Sequence, residues 1–263
     1  MHHLGEHGSW VVCWPAQLTD HLSLLKFAQL LARNHRVVLC DPPAMGANQH
    51  LPYKDDFNRM LYFAQHVLAH FAIEQCHWIG HSAGGVVGAG LRVVSPSRIQ
   101  SLTLASAPML GQGRFKLTAA ASKKLLAGYS WGRRVLVSRG VQQVGHADEK
   151  EKKLVSDYLR HLFERTPHAT IRGMRPLVST VVRGVFDRLR VSPPPMLVLC
   201  GRHDLVVLPR DQRTVAEITQ AQFVDLPCGH MSLLAQPERC ARAFERFIQS
   251  RLTQQPATEV IAA

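Results

Sequence analysis

Six short apolar runs punctuate the chain, separated by stretches with helical spacing. They are SWVVCW (9–14), RVVLCD (36–41), CHWIG (76–80), IQSLTLASA (99–107), PMLVLCG (195–201) and AQFVDLP (221–227). Runs of this length, apolar on consecutive positions, read as strands of a sheet buried on both faces. Between the first two, Leu24, Phe27, Ala28 and Leu31 recur at i, i+3, i+4 and i+7, and between the second and third, Leu61, Phe63, Val67, Leu68 and Phe71 mark another amphipathic helix. Positions 83–94 read as a third helix, in which Leu91 and Val94 follow Val87 at helical spacing, and a last one is expected from about 237 to 252. The alternation predicts an α/β fold with a mainly parallel six-stranded sheet covered by helices on both faces.

The alternation breaks once. From 108 to 193 no comparable apolar run occurs, and KLTAAASKKLLAG, DEKEKKLVSDYLRHLFER and LVSTVVRGVFDRLR read as helices. A helical cap inserted between the fourth and fifth strands is expected over 108–193, with 1–107 and 194–263 forming the core. Pro193-Pro194-Pro195 stiffens the return of the chain to the sheet. The insertion also carries the charge. Of the formal net charge of +12, residues 111–190 hold 17 Lys/Arg against 6 Asp/Glu, and the rest of the chain 14 against 13.

Composition narrows the class. A chain of 263 residues that is 46% hydrophobic can bury one large core. No apolar run approaches the roughly 20 residues of a membrane span, and MHHLGEHGSW does not read as a leader, so a cytoplasmic protein is expected. Cys13, Cys40, Cys76, Cys200, Cys228 and Cys240 show no C-x-x-C pairing and read as reduced core thiols. His2, His3 and His7 are capable of binding a metal adventitiously, but a frayed basic terminus is the preferred reading.

The chemistry is carried by WIGHSAGGVVGAG (78–90), in which Gly80-His81-Ser82-Ala83-Gly84 forms a G-x-S-x-G pentapeptide. A serine hydroxyl is a weak nucleophile that needs a base and must project clear of its own backbone. A sharp turn between strand and helix provides that projection, and the flanking glycines let the two elements approach. The pentapeptide alone is weak evidence, because a Gly-rich turn with an ordinary surface serine has the same sequence. Open parallel sheets bind ligands beyond the carboxyl ends of their strands, and His and Asp stand at two such places. Arg202-His203-Asp204 follows the fifth run and Cys228-Gly229-His230 the sixth.

With GHSAGG (80–85), LVLCGRHDLVVLP (197–209) and LPCGHMSLLAQPE (226–238) in the order Ser, Asp, His, the chain resembles the α/β-hydrolase superfamily over nearly its whole length. The resemblance implies Ser82 as nucleophile, His230 as general base and later acid, and Asp204 as the carboxylate that orients the imidazole. His81 is expected to shape the pocket and His203 to lie on the surface, and Asp225 is the reserve acid. Ala83 is the first oxyanion donor. Where the family usually carries His-Gly after its first strand, this chain reads Cys13-Trp14-Pro15-Ala16-Gln17. Proline has no N–H, so the second donor falls to Ala16 or Gln17, and Trp14 is expected to border the substrate. The short segment before the first run implies that the family's N-terminal hairpin is absent.

The implied activity is hydrolysis of a carboxylic ester or thioester through an acyl-enzyme, with no cofactor or metal. The basic cap, with Arg133, Arg134 and Arg139 clustered, favours an anionic acyl substrate, on acyl carrier protein or coenzyme A, or an anionic lipid head group. That pattern is similar to pimeloyl-acyl-carrier-protein methyl ester esterases of biotin synthesis. Other readings are a general small-ester carboxylesterase, an acyltransferase and a non-catalytic binding protein. Nucleic-acid binding is disfavoured, since the charge sits on the cap and no nucleic-acid motif accompanies it.

Overall fold

The structure, a computed structural model, describes residues 1–51, 56–111, 130–167, 170 and 179–252. Seven strands form one sheet: β1 (His2–Leu4), β2 (Trp10–Trp14), β3 (Arg36–Leu39), β4 (Cys76–His81), β5 (Ile99–Ala105), β6 (Met196–Gly201) and β7 (Gln222–Leu226). Their order across the sheet is β1-β3-β2-β4-β5-β6-β7, with β1 antiparallel and all other pairs parallel. The six expected strands are present. The seventh, β1, corrects both the strand count and the expectation of a frayed terminus. His2 pairs with Leu39, His3 with Val38 and Leu4 with Val37, so the first residues cap the open edge of β3 instead of leaving it unpaired.

Alternation along each strand sends side chains to two separate cores. From β2, Val12 and Trp14 join one cluster with Trp78, while Val11 and Cys13 join the other with Phe27, Phe244 and Phe247. Helices α1 (Leu25–Leu31) and α9 (Pro237–Leu252) cover the second face. The first is covered by α2 (Phe57–His70) and α3 (Ala83–Val94). All six cysteines are free and buried. Burial raises their thiol pKa values, to about 12 for Cys76 and Cys200, so they are inert core groups.

Between β5 and β6 lie α4 (Ser130–Val144), α5 (Glu149–Arg165) and α6 (Ser179–Leu189). Helices α4 and α5 share a third apolar cluster in which Val137, Val141, Val155, Leu159 and Phe163 meet Met45, Val206 and Met231 from loops at the carboxyl end of the sheet. These two helices roof the loops after β3, β6 and β7. By contrast, α6 contributes Val182, Val185, Phe186 and Leu189 to the main core. From Ser179 onward the described residues of this insertion thus pack in the layer that covers the sheet. The helix expected at 116–128 lies outside the described residues. Helix α7 (Pro209–Thr219) joins β6 to β7, and a short α8 (Ser232–Ala235) precedes α9. Among the described residues no helix is long and apolar enough to cross a membrane.

Candidate active site

Ser82 stands between β4 and α3 with φ 51° and ψ −117°, a conformation that side-chain-bearing residues rarely adopt. Its N–H donates to the Ala105 carbonyl at 2.8 Å, anchoring the turn to β5. Close approach explains the neighbouring glycines. A Cβ on Gly80 would lie 2.3 Å from backbone atoms of Gly84 and Gly85, and one on Gly84 would lie 2.5 Å from the Trp14 carbonyl oxygen. The glycines thus let the first turn of α3 pack directly on the end of β4 and on the loop after β2.

His230 follows β7 and is buried. Its Nδ1 lies 3.1 and 3.0 Å from the two carboxylate oxygens of Asp204. A ring nitrogen facing a carboxylate carries the proton, which leaves Nε2 with its lone pair. Asp204 is itself fixed. Its Oδ1 accepts from the Val206 and Val207 N–H groups at 2.8 and 2.9 Å, and its Oδ2 accepts from Gln212 Nε2 at 3.2 Å. The acid therefore has its charge distributed over several donors and one orientation available to the imidazole. Asp225, the reserve acid, pairs instead with Arg202 at 3.2 Å near the surface.

His81 brings the two halves together. Its Nε2 donates to the His230 carbonyl at 2.9 Å, and the two imidazole centroids lie 5.1 Å apart. Burial, reinforced by the proximity of His230, lowers the His81 pKa to about 3, so the ring is neutral and serves as a fixed donor. The His230 loop is also tied to α4 and α5. Its own N–H donates to the Val144 carbonyl at 2.8 Å, and the Gly229 N–H donates to Glu151 Oε1 at 2.8 Å. Glu151, buried on α5, uses its other oxygen to accept from the Ala147 N–H at 2.7 Å.

The loop after β2 is held equally closely. Ala16 is buried, and its carbonyl accepts from both the N–H and the hydroxyl of Thr19 at 3.1 and 2.9 Å. The Trp14 and Pro15 carbonyls approach Gly84, so the start of this loop runs beside the first turn of α3. Asp20, at the far end of this loop, accepts from the Tyr158 hydroxyl at 3.2 Å and pairs with Arg165 at 3.0 Å, linking the loop to α5. Trp14, expected to border the substrate, has its ring buried, stacked on Trp78 at 5.4 Å and edge-on to Phe63. His203 is exposed, as expected. Arg134 and Arg139 are exposed on α4, while the side chain of Arg133 lies outside the described residues.

Sequence reasoning did not find Glu151, Gln212 or the Val144 carbonyl. A Glu within EKEKK reads as one more solvated charge, and a backbone acceptor leaves no mark in sequence.

This chain belongs to the alpha/beta hydrolase family, whose model matches residues 6–243. The fold is similar to that of an enol-lactonase from Burkholderia xenovorans LB400, with a TM-score of 0.77 at 18% identity, covering 94% of this chain and 95% of that one. It is similar also to a thermophilic esterase from Thermogutta terrifontis, with a TM-score of 0.78 at 18% identity over 95% and 92% of the two chains. In sequence, the chain is 25% identical over 228 residues to the dihydrolipoyllysine-residue acetyltransferase component of an acetoin cleaving system from Pseudomonas putida. That match covers 83% of this chain and 58% of the relative, so the chain spans little more than half the relative's length.

Proposed function

We propose that the chain is a serine-dependent carboxylic ester hydrolase. The observation that carries this reading is the buried His230–Asp204 pair, whose backbone is hydrogen-bonded to His81, directly beside a serine in a strained turn. Ser82 Oγ attacks the ester carbonyl while His230 Nε2 takes its proton. The oxyanion rests on the N–H of Ala83, at the first position of α3, and on that of Ala16 or Gln17. The imidazolium, steadied by Asp204, returns the proton to the departing alcohol. Water then enters, loses a proton to His230 and adds to the acyl carbonyl. Collapse of this second intermediate frees the acid and restores Ser82.

The finer reading is an anionic or carrier-bound acyl ester, as in pimeloyl-acyl-carrier-protein methyl ester esterases. Its support is the excess of 17 basic over 6 acidic residues between 111 and 190. Part of that charge is neutralised locally, as in Lys152–Glu149, Arg160–Asp157 and Arg190–Asp187. The experiment that separates the two readings compares Arg134→Glu/Arg139→Glu on a small neutral ester and on a carrier-bound ester across a salt series. Loss confined to the carrier-bound ester, fading as salt shortens the screening length to about 8 Å at 0.15 M, supports the finer reading. Equal loss on both, or none on either, leaves the small-ester carboxylesterase. The acetyltransferase relative favours a further alternative, in which an acceptor hydroxyl or thiol replaces water. Product analysis with an added alcohol or thiol measures that partition.

A further inference from the structure

We propose that His2, His21 and Asp41 form a binding site for a borderline divalent metal ion of the zinc class, separate from the catalytic residues. Three segments distant in sequence converge here. His2 opens β1, His21 follows Asp20 at the end of the loop after β2, and Asp41 follows β3. The antiparallel pairing of His2 with Leu39 sets His2 beside the carboxyl end of β3. His2 Nε2 lies 3.3 Å from Asp41 Oδ2, and His21 Nδ1 lies 2.9 Å from Asp41 Oδ1. One ligand atom from each of the three residues falls within 4.8 Å of the others, and the two imidazole centroids are 4.0 Å apart.

Holding Asp41 in place does not require these imidazoles. Its fully buried carboxylate already accepts from the backbone N–H of His21 on one oxygen, at 2.8 Å, and from that of Ala47 on the other, at 3.0 Å. Two ring nitrogens aimed at a carboxylate so supplied are the arrangement of a ligand set whose carboxylate is oriented by its outer hydrogen bonds. Ligands about 2.0–2.2 Å from one ion stand roughly 3.0–3.5 Å from each other, so the 3.3 Å His2–Asp41 edge already has that size, while His21, 2.9 Å from the other carboxylate oxygen, needs only a small outward shift. Two His and one carboxylate suit zinc or a neighbouring first-row ion, with water completing the coordination. The side chain of His2 is partly exposed, which provides access and the freedom to close the remaining edge. His3 is not part of the set: on the strand it alternates to the other side and packs against Trp10 and Phe71.

The test is titration of the metal-free full chain with Co2+, read by its visible d–d absorption, followed by displacement with Zn2+. One equivalent should bind, raise the melting temperature and be displaced by Zn2+. His2→Gln and His21→Gln should each weaken binding by at least about tenfold, whereas His3→Gln/His7→Gln should leave it unchanged. Each variant is melted first without metal. His2→Gln, on a partly exposed edge position, keeps the test decisive if His21→Gln does not fold. Absence of a stoichiometric Co2+ spectrum, or a spectrum that survives His2→Gln and disappears in His3→Gln/His7→Gln, overturns the proposal.

Discussion

Glu151→Ala tests the role assigned to helix α5. The residue touches neither Ser82 nor Asp204 in any described hydrogen bond, yet its carboxylate receives the N–H of the residue preceding His230. Removing it affects two donors differently. The Ala147 N–H is near the surface and regains water, whereas the Gly229 N–H is buried and left without an acceptor. An orphaned buried donor costs about 1–3 kcal/mol, and a hydrogen bond to a charged acceptor contributes about 1.5–3 kcal/mol, so unfolding free energy should fall by about 2–3 kcal/mol. The catalytic effect follows from position. His230 keeps its bonds to Asp204 and to the Val144 carbonyl, so the loop shifts rather than detaches. Misplacement by about 1 Å can cost a factor of about 10², and kcat on a small activated ester should drop by about 10- to 100-fold with KM nearly unchanged. Urea unfolding and steady-state kinetics on the same preparation measure both. A variant that matches the parent in kcat and in unfolding free energy would refute the coupling of α5 to the His230 loop.

Three further outcomes are expected. Asp204→Asn should lower turnover by a factor of up to about 10⁴ by favouring the wrong imidazole tautomer, while Asp225→Asn should be mild; the reverse ranking in kcat would show the acid misassigned. The pKa of His81 is lowered from 6.5 in the unfolded chain to about 3 in the folded one, so between these values the unfolded state binds the extra proton and stability falls with acidification. Replacing it in His81→Gln, which retains an N–H donor, should flatten that fall by about 1.4 kcal/mol per pH unit well below pH 6.5, and parallel curves from pH 7 to 4.5 in urea unfolding would argue against a neutral buried ring. Gly84→Val should destabilise strongly and abolish turnover, since its Cβ would stand 2.5 Å from the Trp14 carbonyl; a folded, active variant by calorimetry and ester assay would show that the loop is less tightly docked.

The sheet was legible because its strands are apolar on both faces, and the runs at 9–14, 36–41, 76–80, 99–107, 195–201 and 221–227 each overlap one. The α3 helix was legible despite four glycines because the strand before it and the G-x-S-x-G turn fix its start. Helix α4 was not, since Gly132, Gly140 and several β-branched valines give it low propensity and its packing on α5 supplies what the sequence lacks. Strand β1 was missed for a related reason: HHL has no strand pattern and is ordered by pairing with β3. The positions of Asp204 and His230 at strand ends were readable, and the fold brings the two side chains to hydrogen-bond distance. Glu151 and Gln212 were not readable, because their importance comes from which backbone and carboxylate atoms the fold brings to them. For Trp14, a large aromatic at a strand end suggests a ligand wall, and sequence gives no sign of the stack its ring makes with Trp78.

Whether Ser82 is an activated nucleophile is settled by exposing the folded chain to a fluorophosphonate and measuring intact mass, then mapping the modified peptide. A single adduct on Ser82, absent from Ser82→Ala and from unfolded protein, with ester turnover lost in that variant while its melting temperature is nearly unchanged, is the predicted result. An unlabelled folded chain, a label on another residue, or full ester turnover in Ser82→Ala would contradict a serine hydrolase built on Ser82, His230 and Asp204.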